Sequence, residues 1–169
     1  MKTTIGLLLL VVLPLTGFAE APLKITSTAF SAGGRIPSKY TCDGSNLNPP
    51  LHIDNVPKTA KSLVVIVDDP DAPGQTWTHW LLWNLDPKIT QMAENSVPPN
   101  AIQGTSDFGD PKYGGPCPPS GSHRYYFKVY ALDTKLSLPS ASKRPALEKA
   151  ITGHVVAEGS LLGMYSRSK

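Results

Sequence analysis

Three short segments of this 169-residue chain carry the side chains best suited to chemistry. The first runs Asp68-Asp69-Pro70-Asp71-Ala72-Pro73. Its two prolines stiffen a turn and cannot donate to a sheet ladder. Asp68 and Asp69 are neighbours at a strand end, so they should project to opposite sides. Three carboxylates this close repel one another and need either water or a partner such as His. The second segment is Trp77-Thr78-His79-Trp80; on a regular strand His79 would share a face with Leu81, Trp83 and Leu85. The third runs from Tyr113 to Tyr125, where Pro116, Pro118 and Pro119 fix a stiff loop, Gly114 and Gly115 allow close backbone approach, and His123 opens the next strand. Two imidazoles can each donate an N–H to an oxyanion, Asp69 can fix the tautomer of one, and the Gly114 and Gly115 amides can add donors as a backbone nest. Each segment also has a plainer reading: a polar turn, a satisfied core histidine and a surface loop.

Short β-type runs must position these groups. Leu23 to Thr28 alternates with period two, and Leu51 to Ile53 is a short strand after Pro49-Pro50. Ser62 to Val67 is continuous and β-branched, as a strand covered on both faces would be. Thr78 to Leu85 is another strand, ended by Asp86-Pro87. From His123 to Leu132, His123, Tyr125, Phe127, Val129 and Ala131 face one way and Arg124, Tyr126, Lys128 and Tyr130 the other. One helix is expected over Ala146 to Ile151, with Ser142 as its cap, Pro145 in its first turn and Gly153 at its end. His154 to Tyr165 should be a last strand, bent at Gly159 and Gly163. The pattern predicts an all-β-dominated fold of antiparallel sheets packed as a sandwich, with one or two short helices.

The length fits one domain. Charged residues make up 17%, below the usual 25% or so, and 17 prolines exceed the usual share of about 5%. This excludes a disordered polyelectrolyte, a coiled coil and a collagen-like chain. The net charge is +3 without a dense basic stripe, so no nucleic-acid partner is expected. Met1-Lys2, the aliphatic run from Ile5 to Leu13, and small residues at Gly17 and Ala19 follow the plan of a secretory signal. The run is shorter than the roughly 20 residues a membrane span needs. Residues 1–19 are therefore expected to be a cleaved signal peptide and residues 20–169 the mature domain, periplasmic or secreted; the alternative is a frayed apolar strand or an anchor. In an exported protein Cys42 and Cys117 can form one disulfide bond, the alternative being two separate thiols in two loops.

Together the segments resemble the phosphatidylethanolamine-binding protein family. The resemblance rests on the Asp69 to Pro73 box, the Trp77/His79 strand, and Gly115-Pro116 followed by His123-Arg124-Tyr125. Tyr40 to Leu51 and Thr105 to Gly109 are similar to its bacterial, Raf kinase inhibitor-like branch. It implies packed antiparallel sheets with a small anion-binding cavity at one end, formed by Asp69, Asp71, Trp77, His79, Gly115, Pro116, His123 and Tyr125. Between Pro73 and Trp77 the chain has only Gly74-Gln75-Thr76, so an aromatic wall residue of the eukaryotic relatives is missing and the cavity should be more open. The function expected is binding of a small anion or phosphate-bearing ligand. The alternatives are an inhibitor that docks a protein partner at the same mouth and, less favoured, a His/Asp hydrolase. Gly-x-Ser-x-Gly, His-Glu-x-x-His and phosphate-loop motifs are all missing, so no enzyme, cofactor or metal is expected. A metal variant would need His79, His123 and Asp69 as ligands.

Overall fold

The computed structural model describes residues 21–167, so the expected signal segment, 1–19, lies outside the described residues. Among the described residues eight strands and one α-helix follow in the order β1 (Lys24–Thr26), β2 (Leu51–Asp54), β3 (Ser62–Asp69), β4 (Trp77–Leu85), β5 (Gln91–Met92), β6 (Ile102–Gln103), β7 (Ser122–Leu132), α1 (Arg144–Ile151) and β8 (Val155–Ser166), with one 3-10 turn at Ser38–Tyr40. They form a three-stranded sheet, β1-β2-β5, and a five-stranded sheet, β6-β4-β3-β7-β8. All the strand pairs in both sheets are antiparallel. The predicted sandwich with little helix is therefore the observed architecture. Among the described residues no helix is long and apolar enough to cross a membrane.

β3 is buried along its whole length, as its unbroken β-branched run requires. Its odd positions, Leu63, Val65 and Val67, join Tyr125, Phe127, Val129 and the small sheet in the main core. Its even positions, Val64 and Ile66, pack with Leu81, Trp83, Leu147 and Ile151 beneath α1. Along β7 the alternation holds as predicted, with the face of His123, Tyr125, Phe127, Val129 and Ala131 buried.

Three local expectations give way to tertiary structure. The helix begins one residue after Lys143, which caps it without a side-chain hydrogen bond. Ser142 is drawn away instead: its amide bonds the Pro139 carbonyl and its own carbonyl accepts from the Thr105 amide. β8 pairs with β7 in unbroken register through Gly159 and Gly163, so neither glycine bends it by a bulge. Both make room instead. A Cβ on Gly159 would lie 2.3 Å from the Leu23 carbonyl oxygen, and one on Gly163 would lie 2.5 Å from the Ile36 side chain. Finally, β4 is not regular. Val67 pairs with Trp80 but Asp68 with Thr78, which leaves His79 as an extra residue, and a second shift lies between the Leu63–Leu85 and Val65–Leu82 pairs, where Asn84 has φ 60°. Strict alternation would have grouped His79 and Leu85 with Leu81 and Trp83. The two shifts turn both residues toward the main core instead, Leu85 within it and His79 against the Tyr125 ring.

The even–odd rule carries to the end of β3, where both aspartates are buried on opposite faces. Asp68, on the helix face, takes Lys128 Nζ at 2.6 Å and Arg144 Nη1 at 2.9 Å on one carboxylate oxygen. That pair of contacts ties the start of α1 to the sheet. Removing one member of a buried ion pair leaves charge uncompensated and costs about 3–5 kcal/mol, less where the partners can still reach water. Lys128 and Arg144 keep 29% and 22% of their side-chain exposure. Asp68→Ala is therefore expected to lower the unfolding free energy by about 2–3 kcal/mol. Urea denaturation checks this; an unchanged midpoint would show that Asp68 does not hold α1 in place.

Candidate functional site

Asp69 lies on the core face of β3, next to the mouth between the strand ends. Its Oδ2 accepts from His123 Nδ1 at 2.8 Å, and both side chains are nearly sealed, at 4% and 9% exposure. Its other oxygen accepts from the Asp71 amide at 2.8 Å, an Asx-type turn that fixes the Asp-Pro-Asp segment. Asp71 itself turns outward. Arg124 grips it in a two-pronged ion pair, Nη2 to Oδ1 at 2.7 Å and Nε to Oδ2 at 2.9 Å, while the Arg124 amide adds a third bond. The Arg124 guanidinium holds the Asp71 carboxyl down at about 2.

His79 reaches the same place because of the β4 bulge. Its Nδ1 donates to the Gly114 carbonyl at 2.6 Å. Its ring meets Tyr125 edge-on at 5.2 Å and Phe108 at 5.3 Å, and the His123 ring stacks on Tyr125 at 6.5 Å. Both imidazoles thus neighbour the Tyr125 ring. Its hydroxyl is buried without a well-formed hydrogen bond, and burial followed by the nearby Asp69 carboxylate keeps it protonated by raising its pKa. Burial pushes His79 below the ordinary imidazole range, and the Gly114 carbonyl opposes this only in part.

A cavity of about 270 Å³ opens here, lined by Asp69, Ala72, Pro73, Trp77, His79, Phe108, Cys117 and Pro119. Of the expected residues, Asp69, Trp77 and His79 line it, while His123 and Tyr125 do not and pack against them instead, His123 on Asp69 and Tyr125 against the His79 ring. Gly115 and Pro116 belong to the frame: the Gly115 amide donates to Asn46 Oδ1 at 2.7 Å, and the Pro116 carbonyl accepts from the Cys42 amide at 3.1 Å. The expected nest of loop donors does not exist, because the Gly114 amide is bonded to the His79 carbonyl and the Gly115 amide to Asn46. Glycine is required at 115 all the same, since a Cβ there would lie 2.4 Å from the Tyr40 carbonyl oxygen.

The residue missed from sequence is Phe108. It packs edge-on against both Trp77 and His79, yet stays 46% exposed. It supplies from another loop the aromatic wall that is missing between Pro73 and Trp77. Its signal was a large apolar residue in an otherwise polar turn, which says nothing of where the turn docks. That loop is anchored by Asp107, which accepts from the Thr78 amide at 2.7 Å.

Cys42 and Cys117 form the one disulfide their number allows, with Cα atoms 5.4 Å apart. It closes a loop across 75 residues and ties the cavity loop to the Tyr40–Asn46 segment, where Tyr113 also donates to the Tyr40 carbonyl.

The chain is similar throughout its described length to known proteins. The sequence profile for phosphatidylethanolamine-binding protein matches residues 26–166. A UPF0098 protein of Methanothermobacter thermautotrophicus is 52% identical over 151 residues, covering 86% of this chain and 99% of that protein. The crystal structure of CT736 from Chlamydia trachomatis, described as a phosphatidylethanolamine-binding protein homologue, superposes with a TM-score of 0.84 at 42% identity, over 87% of this chain and 99% of that one. E. coli YbcL, described as a member of the mammalian family, gives 0.82 at 32% identity, over 88% and 100%. The chain belongs to the phosphatidylethanolamine-binding protein family.

Two outcomes follow from the geometry. Reducing the disulfide, or replacing both cysteines by Ser, should cost about 4 kcal/mol of stability on chain-entropy grounds, read by denaturant unfolding with and without reductant. An unchanged midpoint would mean that the bridge restrains nothing the unfolded chain lacks. The second outcome concerns pH. The unfolded chain carries His79 at its ordinary value near 6.5 and takes up a proton below it, whereas the folded chain resists that proton. This contribution is complete above about 6.5 and is lost as pH falls below it, by at most about 1.4 kcal/mol per pH unit. A His79→Gln variant should show a flatter stability profile than the wild type between about pH 6.5 and 5. Parallel profiles would show that burial does not hold His79 neutral.

Proposed function

We infer that this chain is an exported binding protein for small oxyanions, phosphate groups foremost. The observation that carries the reading is an aromatic-walled cavity lined by His79 and Asp69, with a second buried imidazole, His123, hydrogen-bonded to that Asp69; each imidazole is held through Nδ1, His123 by the Asp69 carboxylate and His79 by a main-chain carbonyl. When His123 is protonated, its charge is balanced by Asp69 and it offers an Nε2 donor to an anion. The size of the cavity suits a head group or a small anion. The apolar run before residue 20 supports export, and a disulfide suits an oxidising compartment.

The same arrangement favours binding over turnover. Cys117 is tied in a disulfide and offers no thiolate, and His79 is oriented by a carbonyl rather than by a carboxylate. A second reading, docking of a protein partner at this mouth, is favoured by the exposed Phe108 on its rim. Pull-down with wild type and Phe108→Ala separates it: capture that depends on Phe108 but not on His123 supports docking.

Calorimetric titration with inorganic phosphate tests the main reading. A charge-assisted hydrogen bond is worth about 1.5–3 kcal/mol, so folded His123→Ala should bind phosphate about tenfold to a hundredfold more weakly. Unchanged affinity in folded His79→Ala and His123→Ala proteins would overturn it.

A further inference from the structure

Cysteine side chains in a folded domain are usually among the most buried, yet both halves of the disulfide here, Cys42 and Cys117, are exposed. The two halves are held unequally. Cys42 sits in a well-anchored turn: the Thr41 amide donates to the Ser38 carbonyl, the Gly44 amide donates to the Thr41 carbonyl, and Asp43 accepts from the Tyr165 hydroxyl at 2.7 Å and from Arg167 Nε at 3.0 Å. Cys117 lies between Pro116 and Pro118, with Pro119 following, and a proline has no amide hydrogen to give. Among the described residues, the bond between the Pro116 carbonyl and the Cys42 amide is the only main-chain hydrogen bond made by residues 116–120. The loop just before them is fixed independently, Gly114 on His79 and Gly115 on Asn46. Cys117 and Pro119 nevertheless form part of the wall of the cavity lined by Asp69 and His79. In this stretch of wall a covalent bond does what hydrogen bonds do in the rest of the loop.

A second cavity, of about 210 Å³, shares Phe108 and Cys117 with the first and is lined by Cys42 as well. Both half-cystines thus border space that a small reagent can enter. Lys112 and Asp110, in the same lining, are paired at 3.0 Å, so the Asp110 charge does not stand unbalanced against an incoming thiolate. We propose that Cys42–Cys117 is a site of thiol–disulfide exchange in the folded protein, taking a dithiol reductant, and that its opening unlatches the 116–120 wall of the cavity. A thiolate of the dithiol forms a bond to one cystine sulfur, the Cys42–Cys117 bond breaks, and the other sulfur leaves as a thiolate that takes up a proton. The second thiol of the reductant then displaces the first, so two electrons pass to the protein and the dithiol ends as a disulfide. Disulfides that serve only stability resist the surrounding thiol pool, whereas exposed ones are the labile and regulatory kind. Nothing in this depends on what the cavity binds. Asp69, Trp77 and His79 are carried by β3 and β4, so reduction loosens one wall without dismantling the site.

The test uses the intact oxidised protein at neutral pH without denaturant. Dithiothreitol is added in a concentration series. Free thiols are counted by alkylation and mass spectrometry, and the fold is followed by far-ultraviolet circular dichroism. The wall is followed by amide hydrogen exchange and by iodide quenching of tryptophan fluorescence. Trp80 and Trp83 are sealed, at 1% and 0% exposure, so quenching reads Trp77 at the cavity. The rate of reduction should double when the dithiol is doubled, and the dichroism should stay native. Faster exchange should be confined to residues 117–121, with stronger quenching of Trp77. The double variant Cys42→Ser, Cys117→Ser should show the same exchange and quenching without reductant. A rate independent of dithiol concentration, or loss of the dichroism on reduction, would mean that the bond opens only with the fold, and either would overturn the proposal. Reduction that leaves exchange and quenching unchanged would overturn it too, since the bond would then latch nothing.

Discussion

A carboxylate removed from water must have a cation or hydrogen-bond donors beside it, and β3 ends in two such carboxylates in succession. Because neighbours on a strand face opposite ways, the molecule has to supply partners on both faces of one sheet. On the helix face Asp68 gathers Lys128 and Arg144, which fixes where α1 begins. On the core face Asp69 gathers His123 and the amide of Asp71. The first solution is structural. The second leaves an imidazole oriented by a carboxylate that itself lines the cavity. One rule, strand alternation, separates the two roles of adjacent and chemically identical residues.

Much of this was legible in the sequence because it depends on local pattern. The continuous β-branched run of Ser62 to Val67 marked a strand covered on both faces, and the alternation from His123 to Leu132 placed His123 and Tyr125 on the buried side. The opposite facing of Asp68 and Asp69 followed from the same periodicity. What stayed hidden depends on register and on contacts far apart in sequence. Alternation put His79 on one face with Leu81, Trp83 and Leu85, and only the shift between the Val67–Trp80 and Asp68–Thr78 pairs turns it to the cavity. The amides of Gly114 and Gly115 looked free because nothing local shows that the His79 carbonyl and Asn46 occupy them. Phe108 is a wall residue only because its loop docks on Trp77 and His79.

The bulge and the loop are two halves of one device. Gly114 receives the His79 Nδ1–H on its carbonyl and returns its amide to the His79 carbonyl, so strand and loop fix each other. A side chain at 114 would strike the Phe108 ring, its Cβ 2.4 Å away, and one at 115 would strike the Tyr40 carbonyl, so the loop lies as close as glycine permits. The disulfide holds the far side of the same loop. A histidine held so firmly by a carbonyl is a fixed acceptor in its neutral form, whereas one backed by a carboxylate can also carry charge. The asymmetry between His79 and His123 is thus built from the backbone outward.

The central claim is that His79 stands as a neutral Nδ1–H tautomer with a bare Nε2, near a carboxylate-backed His123. Nitrogen-15 NMR of the imidazole side chains at about pH 7, recorded before and after addition of phosphate, reads both features at once. The account predicts a His79 spectrum with a protonated Nδ1 and an unprotonated Nε2, and Nε2 shifts in both His79 and His123 on adding phosphate. A His79 protonated at Nε2 instead, or Nε2 resonances of both residues that ignore phosphate, would contradict it.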